Sequence, residues 1–338
     1  MSLATVTLFI QQLNIYGGII LYIMGIIGNI LNFIIFSQST LRKNSISVYM
    51  RVAAIFSLLT LQILITRILA TGFQLDYALK SRGWCKIRAY FVITFALITL
   101  TIEAFSTVDR YFSSCRQAKY RKFSSMYTSK CIILCCIPIC LLMNVPTLIF
   151  YDIYSIADTQ LVCLSVSINY NNYVSYVYSP VFIGVLPFLL MVLFGILTYG
   201  NIKRIGRRQV VPSTITNTMT GGASVQSISS RRADVQLTSM ILMNLIVVLI
   251  SVFPYSAYNI YSAITLNFTK DPNQRIIEGL VAQTVLLLWY VNYSSCFYVF
   301  IITSKSFRKH SINLITSRQT QKRTESYTQA RRTLAAKN

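Results

Sequence analysis

The chain has 338 residues, 54% of them hydrophobic and only 12% charged. A soluble globular chain carries about 25% charged residues, so a water-soluble domain is excluded. The net charge of +22 would suit nucleic acid, but it sits in segments that alternate with nearly uncharged ones, so no nucleic-acid role is read from it.

A hydrocarbon core of about 30 Å needs about 20 apolar residues per helix. Long uncharged windows at 1–41, 131–151, 159–202, 235–269 and 279–304 reach that length, and two further apolar segments, 46–72 and 86–113, hold isolated charges. Dividing 159–202 into a polar loop and one helix predicts seven helices, at about 14–38, 46–72, 86–113, 128–150, 176–202, 233–263 and 276–302. Barrel strands would be segments of about ten residues alternating with period 2, and none is evident. The expectation is an all-α membrane protein, a seven-helix bundle over 13–310, with a short N-terminus 1–12 and a disordered tail 311–338.

Most of the 31 Lys and Arg fall in 39–45, 112–130, 201–233 and 303–338, whereas 1–12, 73–84, 151–173 and 266–275 hold four, Lys80, Arg82, Lys270 and Arg275. Lys and Arg are retained on the cytoplasmic side. The N-terminus is therefore expected outside and the C-terminus inside, which needs an odd number of spans. The basic side would face the anionic inner leaflet of the plasma membrane, making lipids a partner. The apolar start 3–10 is short and lacks a basic flank, so no cleavable signal is read there.

In the first helix, Gly25 and Gly28 allow close backbone approach and Asn29 needs a partner helix. The second places Ser57 in mid-membrane. Its Arg51 lies near the inner end and can snorkel. Arg67 lies about three turns further out, where a charge is costly unless it meets a cavity or a partner; snorkelling and ligand contact both stay open. The third helix begins at Cys85, carries Glu103 in its apolar run and ends in Asp109-Arg110-Tyr111. The fourth holds Pro138 and Pro146 together with Cys131, Cys135, Cys136 and Cys140, which read as packing rather than as a metal site.

Of the eight cysteines, only Cys85 and Cys163 fall on the side expected outside, where disulfides persist, so a Cys85–Cys163 bridge is inferred from topology. The fifth helix has Pro187 in mid-span. The stretch 212–230 that follows it is Ser/Thr/Gly-rich, too polar to pack, and expected to be mobile. Asp234 stands at the inner start of the sixth helix and Pro254 towards its outer part. Asn267-Phe268-Thr269 is a glycosylation sequon on the outer side. After the seventh helix, residues 305–309 could start a short amphipathic helix along the membrane surface.

Seven helices with this third helix resemble a class A (rhodopsin-like) G-protein-coupled receptor. The resemblance rests on Asn29, on the 25 residues from Cys85 to Arg110, on Cys163, Pro187 and Pro254, on Asp234 placed 20 residues before Pro254, and on Phe307-Arg308. The departures mark a divergent member. Ser57 stands for the second-helix aspartate, Val252 for the sixth-helix tryptophan and Gly195 for the fifth-helix tyrosine. Cys296-Phe297-Tyr298-Val299-Phe300 replaces Asn-Pro-x-x-Tyr, and the fourth-helix tryptophan is missing.

The resemblance implies a receptor that converts binding of an extracellular ligand, a peptide or a small molecule, into G-protein activation by opening helix 6 away from helix 3. It implies no cofactor, and adds receptor kinase and arrestin acting on the Ser/Thr-rich third inner loop and tail. An Arg110–Asp234 pair would tether helix 6 to helix 3 and, once broken, release Arg110, beside Asp109 and Tyr111, as a G-protein contact; the plainer reading is a helix-end charge pair with no switch. Glu103 stands where the family has an apolar residue and would partly replace the carboxylate lost at Ser57, with Asn29, Thr99 and Asn292 as candidate neighbours; a protonated Glu making one helix–helix bond is the alternative.

The ligand pocket is expected among Arg67, Arg88, Val92, Tyr255, Tyr258, Asn259, Gln283 and Tyr290. Val92 stands where amine receptors carry an aspartate, and helix 7 has no lysine for a retinal Schiff base. Two arginines and many tyrosines would suit a peptide or an anionic small molecule. Two other classes stay open: a receptor-like protein that does not signal through G proteins, and a seven-helix transporter or channel. The latter calls for paired charges along a path or repeated halves, which Arg51, Arg67 and Glu103 do not form by spacing. No nucleophile–base set supports catalysis, and the single histidine, His310, lies near the tail.

Overall fold

The computed structural model describes residues 3–312 apart from 40, 43, 74, 157–159, 209–220, 266, 267, 269, 306 and 310, and leaves out the side chains at 3, 4, 156, 160, 204–208, 221–237 and 272. Among the described residues seven helices are long and apolar enough to cross a membrane. They are α1 (Thr5–Phe36), α2 (Ser45–Gly72), α3 (Arg82–Ser114), α4 (Met126–Phe150), α5 (Ile168–Lys203), α6 (Gly221–Ile264) and α7 (Pro272–Thr303). In a bilayer every backbone polar group must be satisfied within the protein, and helices achieve this segment by segment.

The first helix differs from the expected 14–38. Helical backbone begins at Leu3, because residues 3–12 contain neither Gly nor Pro and are mostly apolar. The backbone widens to a π turn at Leu13–Gly17 before α-helix resumes at Gly18. Part of the stretch expected to be mobile is also helical, since α6 starts at Gly221 rather than 233; residues 209–220 lie outside the described set. The other boundaries agree with the sequence reading to within a few residues, apart from α5, which starts at Ile168 rather than 176.

Proline shapes two helices. α4 breaks at Asn144, just before Pro146 opens the short final helix Val145–Phe150. The Asn144 backbone N–H turns to the Leu141 carbonyl, and its side-chain amide donates to the Cys140 carbonyl at 2.8 Å, so the break leaves that acceptor satisfied. α5 is a π-helix over Val174–Val185, with Pro180 inside it and Pro187 directly after. A proline ring lacks a donor and crowds the preceding turn, which accounts for a widened helix here.

In the bundle, α1 packs on α2 and α7, α2 on α3, α3 on α5, and α6 on α5 and α7, while α4 lies against α2 and α3. α3 is the central element: Ala96, Leu97, Ile98, Thr99, Leu100 and Ile102 are all buried. A Cβ on Gly25 would run into the Leu61 side chain, and one on Gly28 would press on Phe297 at 3.2 Å. Close helix approach in lipid is therefore a property of these two positions. At the C-terminal ends of α1 and α7, Phe36, Phe297 and Phe300 form an aromatic cluster with Phe307, their ring centroids 5.6–5.9 Å apart. The expected surface helix after α7 includes residues 306 and 310, which lie outside the described set.

The loop 151–173 carries an element the sequence reading did not foresee. Strands β1 (Tyr151–Ile156) and β2 (Gln160–Ser165) pair antiparallel, with Ile153 opposite Cys163. Cys163 is disulfide-bonded to Cys85 near the start of α3, as the topology implied.

Candidate functional site

Three polar layers run along the bundle, and the first lies at the Arg110 end. Arg110 and Asp109 are both buried, at 2% and 5% exposure. The Arg110 Nη2 donates to Asp109 Oδ2 at 2.9 Å, to Ser45 Oγ at 3.0 Å and to Asn44 Oδ1 at 3.1 Å. Ser45 Oγ in turn donates to Asp109 Oδ2 at 2.7 Å. Asn44 is the N-cap of α2, where its side chain also accepts from the Ile46 N–H. The Asp109 carboxylate is thus seated at a helix N-terminus, where the backbone dipole favours negative charge. Tyr111 points to α5 instead, its ring 5.3 Å from that of Phe194. Asp234 belongs to α6 by its backbone, but its side chain lies outside the described residues, so the partners shown for Arg110 all come from α2 and α3.

The second layer is the buried middle. Glu103 is 4% exposed, and the polar side chains facing it are Asn244 on α6 and Asn292 on α7. Glu103 Oε2, Asn244 Oδ1 and both amide atoms of Asn292 have no hydrogen bond within 3.5 Å. Of the neighbours expected for Glu103, Asn292 is present. Asn29 is committed elsewhere, donating to the carbonyls of Tyr293 and Gly25, both at 2.8 Å. Thr99 bonds its own helix at the Phe95 carbonyl, a local option open to any helical threonine. Ser57 is buried on α2. Asn244 was missed, although a lone asparagine in an apolar run is the signal that marked Asn29.

The third layer lies at the disulfide end. Arg67 Nη2 donates to Gln283 Oε1 at 3.1 Å, joining α2 to α7. The phenols of Tyr290 and Tyr255 are within electrostatic reach of its guanidinium. Arg88 pairs with Asp76 at 3.6 Å. Tyr151, the first residue of β1, lies within electrostatic range of Arg88, Tyr170 and Tyr255, and burial pushes its phenol up to about 12, so it stays a neutral donor at neutral pH. Below them Trp289 stacks on Tyr255 at 5.2 Å and meets Tyr290 and Tyr293 edge-on. The buried indole of the bundle therefore comes from α7, while Val252 on α6 is simply packed in the core.

Not every expected pocket residue joins this layer. Tyr258 donates to the Glu278 carbonyl at 3.3 Å, and Asn259 to Ser179 at 3.3 Å and to the Tyr255 carbonyl at 3.0 Å. Val92 packs against the apolar core. Tyr151 and Trp289 were missed: a tyrosine in a loop and a tryptophan in an apolar helix carry no positional signal by themselves. The sequon residue Asn267 lies outside the described set.

Comparison with protein families matches residues 28–327 to the 7 transmembrane receptor (rhodopsin family). No curated protein matches the chain. The match covers most of the 338 residues and coincides with seven membrane-length helices and the Cys85–Cys163 bridge; the chain therefore belongs to the rhodopsin family of seven-transmembrane G-protein-coupled receptors.

Proposed function

We propose that this receptor sits in the plasma membrane with its N-terminus outside, binds an extracellular peptide or small molecule at the disulfide end, and activates a heterotrimeric G protein at the Arg110 end. Activation opens α6 away from α3. The observation that carries this reading is the enclosed Arg110, held against the first turn of α2 by Asp109, Ser45 and Asn44. A guanidinium cannot discharge itself and must keep partners, so any state that frees it has to exchange these contacts for others. A charged-group hydrogen bond contributes about 1.5–3 kcal/mol, enough to bias a two-state equilibrium.

Asp234 is the acid we assign to the α6 side of the switch, and Tyr111 the aromatic contact between α3 and α5. Glu103, facing Asn244 and Asn292, takes over the polar coupling among α3, α6 and α7 that Ser57 cannot supply as a carboxylate. The Ser/Thr-rich third inner loop and the tail are the surfaces for receptor kinase and arrestin, and Asn267 is the glycosylation site. Pro187 and Pro254 give α5 and α6 their bending points.

The test is ligand-free nucleotide exchange on purified G proteins, wild type against Arg110→Ala. Loss of exchange in the variant supports the reading. If neither chain drives exchange in any G-protein background, the protein binds ligand without signalling through G proteins.

A further inference from the structure

The two arginines at the disulfide end are not equivalent. Arg88 has a carboxylate, Asp76, at 3.6 Å. Arg67 has a neutral partner, Gln283, on Nη2, and its buried Nε has no hydrogen-bond partner. Asp76 is the one carboxylate shown within electrostatic reach of Arg67, and it is already engaged by Arg88 and by the Ala78 N–H. The local sum is two cations against one anion. A guanidinium stays charged under all ordinary conditions, and inside a membrane span it calls for a counter-charge.

The groups around Arg67 say what that counter-charge is. The phenols of Tyr255 and Tyr290 lie within electrostatic range of it, and Tyr151 lies within that range of Tyr255 and Arg88. The set offers guanidinium and hydroxyl donors and is short of acceptors. A carboxylate supplies two acceptor oxygens matched to a guanidinium fork. The surplus is a single positive charge, which suits a monoanion rather than a dianion. Beside the donors, the stacked pair Tyr255 and Trp289 offers an aromatic wall to an apolar group.

We infer that Arg67 is the counter-ion for a ligand bearing one carboxylate, which lies between Arg67 and the phenols of Tyr255 and Tyr290 with its apolar part against the Tyr255–Trp289 pair. This inference rests on the receptor reading only for the route by which a ligand reaches the disulfide end. Arg67 reads the charge, and Arg88, already neutralised, does not.

The probe is benzoate, with benzamide as its neutral counterpart and phenylphosphonate as the dianion. Thermal unfolding of the purified full-length chain in detergent is followed for wild type, Arg67→Lys and Arg67→Gln. Benzoate is expected to raise the wild-type melting temperature saturably, and benzamide to need about tenfold higher concentration, since one charge-assisted contact is lost. Arg67→Gln should abolish the preference for acid over amide, and Arg67→Lys should keep part of it. Three outcomes overturn the inference: equal response to benzoate and benzamide, stronger response to phenylphosphonate, or no benzoate response up to its solubility limit. An acid preference undiminished in Arg67→Gln also overturns it. The wild-type comparison stands even if the variants fold poorly. A chain that prefers the acid yet never drives nucleotide exchange keeps this inference and removes the coupling proposal; a chain that couples but treats acid and amide alike does the reverse.

Discussion

Ser45 and Asp109 are joined by a 2.7 Å bond in which the hydroxyl donates, while the same oxygen of Ser45 accepts from Arg110 at 3.0 Å. A serine has one proton and two lone pairs, so this residue serves an anion and a cation at once. Ser45→Ala removes both contacts and leaves the first turn of α2 with less hold on α3. The expected loss is about 1.5–3 kcal/mol of stability, seen as a lower melting temperature, together with raised ligand-free nucleotide exchange. Unchanged exchange would show that the contact is structural only.

The Cys85–Cys163 bridge closes a loop across 78 positions. Cys85→Ser or Cys163→Ser should cost about 2–4 kcal/mol, and the double variant should cost no more than either single one, because the two residues act as a unit. Cell-surface abundance and melting temperature of the three variants check this.

Glu103 faces Asn292, whose two amide atoms have no hydrogen bond, and Asn244, whose Oδ1 has none. Glu103→Gln keeps the shape and should alter ligand-free signalling with little loss of folded protein. Glu103→Leu strands Asn244 and Asn292, and should lower stability by about 1–2 kcal/mol, the size of an interhelical polar contact in a membrane. If Glu103→Gln matches wild type in basal exchange and in expression, the coupling role assigned to Glu103 fails.

Asn29 on α1 donates to the Tyr293 carbonyl on α7, and Gly25 on α1 admits the side chain of Leu61 from α2. Asn29→Ala should cost about 1 kcal/mol. Gly25→Val should cost about 1–3 kcal/mol by overpacking, and its effect should shrink when Leu61→Ala is added. A double-mutant cycle on melting temperature reads the coupling directly.

Much of the bundle was legible because a membrane imposes its own ruler. Apolar length marked the spans, and the sparse charges marked their ends. The boundaries that moved are those where polarity is a poor guide: residues 221–232 are polar yet helical, since a long helix propagates cheaply once the apolar part has formed. The hairpin at 151–165 escaped because its strands are short and read simply as loop. At the site, Arg110, Glu103 and Arg67 stood out because a charge in lipid is costly and therefore conspicuous. Their partners were harder to name. Ser45, Asn44 and Asn244 carry no charge, and only three-dimensional proximity joins them to the residues they serve.

The hairpin is tied to α3 by the disulfide at Cys163, while its opposite edge begins at Tyr151, within electrostatic range of Arg88 on α3, Tyr170 on α5 and Tyr255 on α6. A cover with one covalent anchor can pivot but not leave, so traffic past it is set by how often its Tyr151 edge lifts. The consequence is one of timing: a ligand resting against Tyr255 should leave slowly, and Tyr151→Ala should shorten its residence far more than it weakens its arrival.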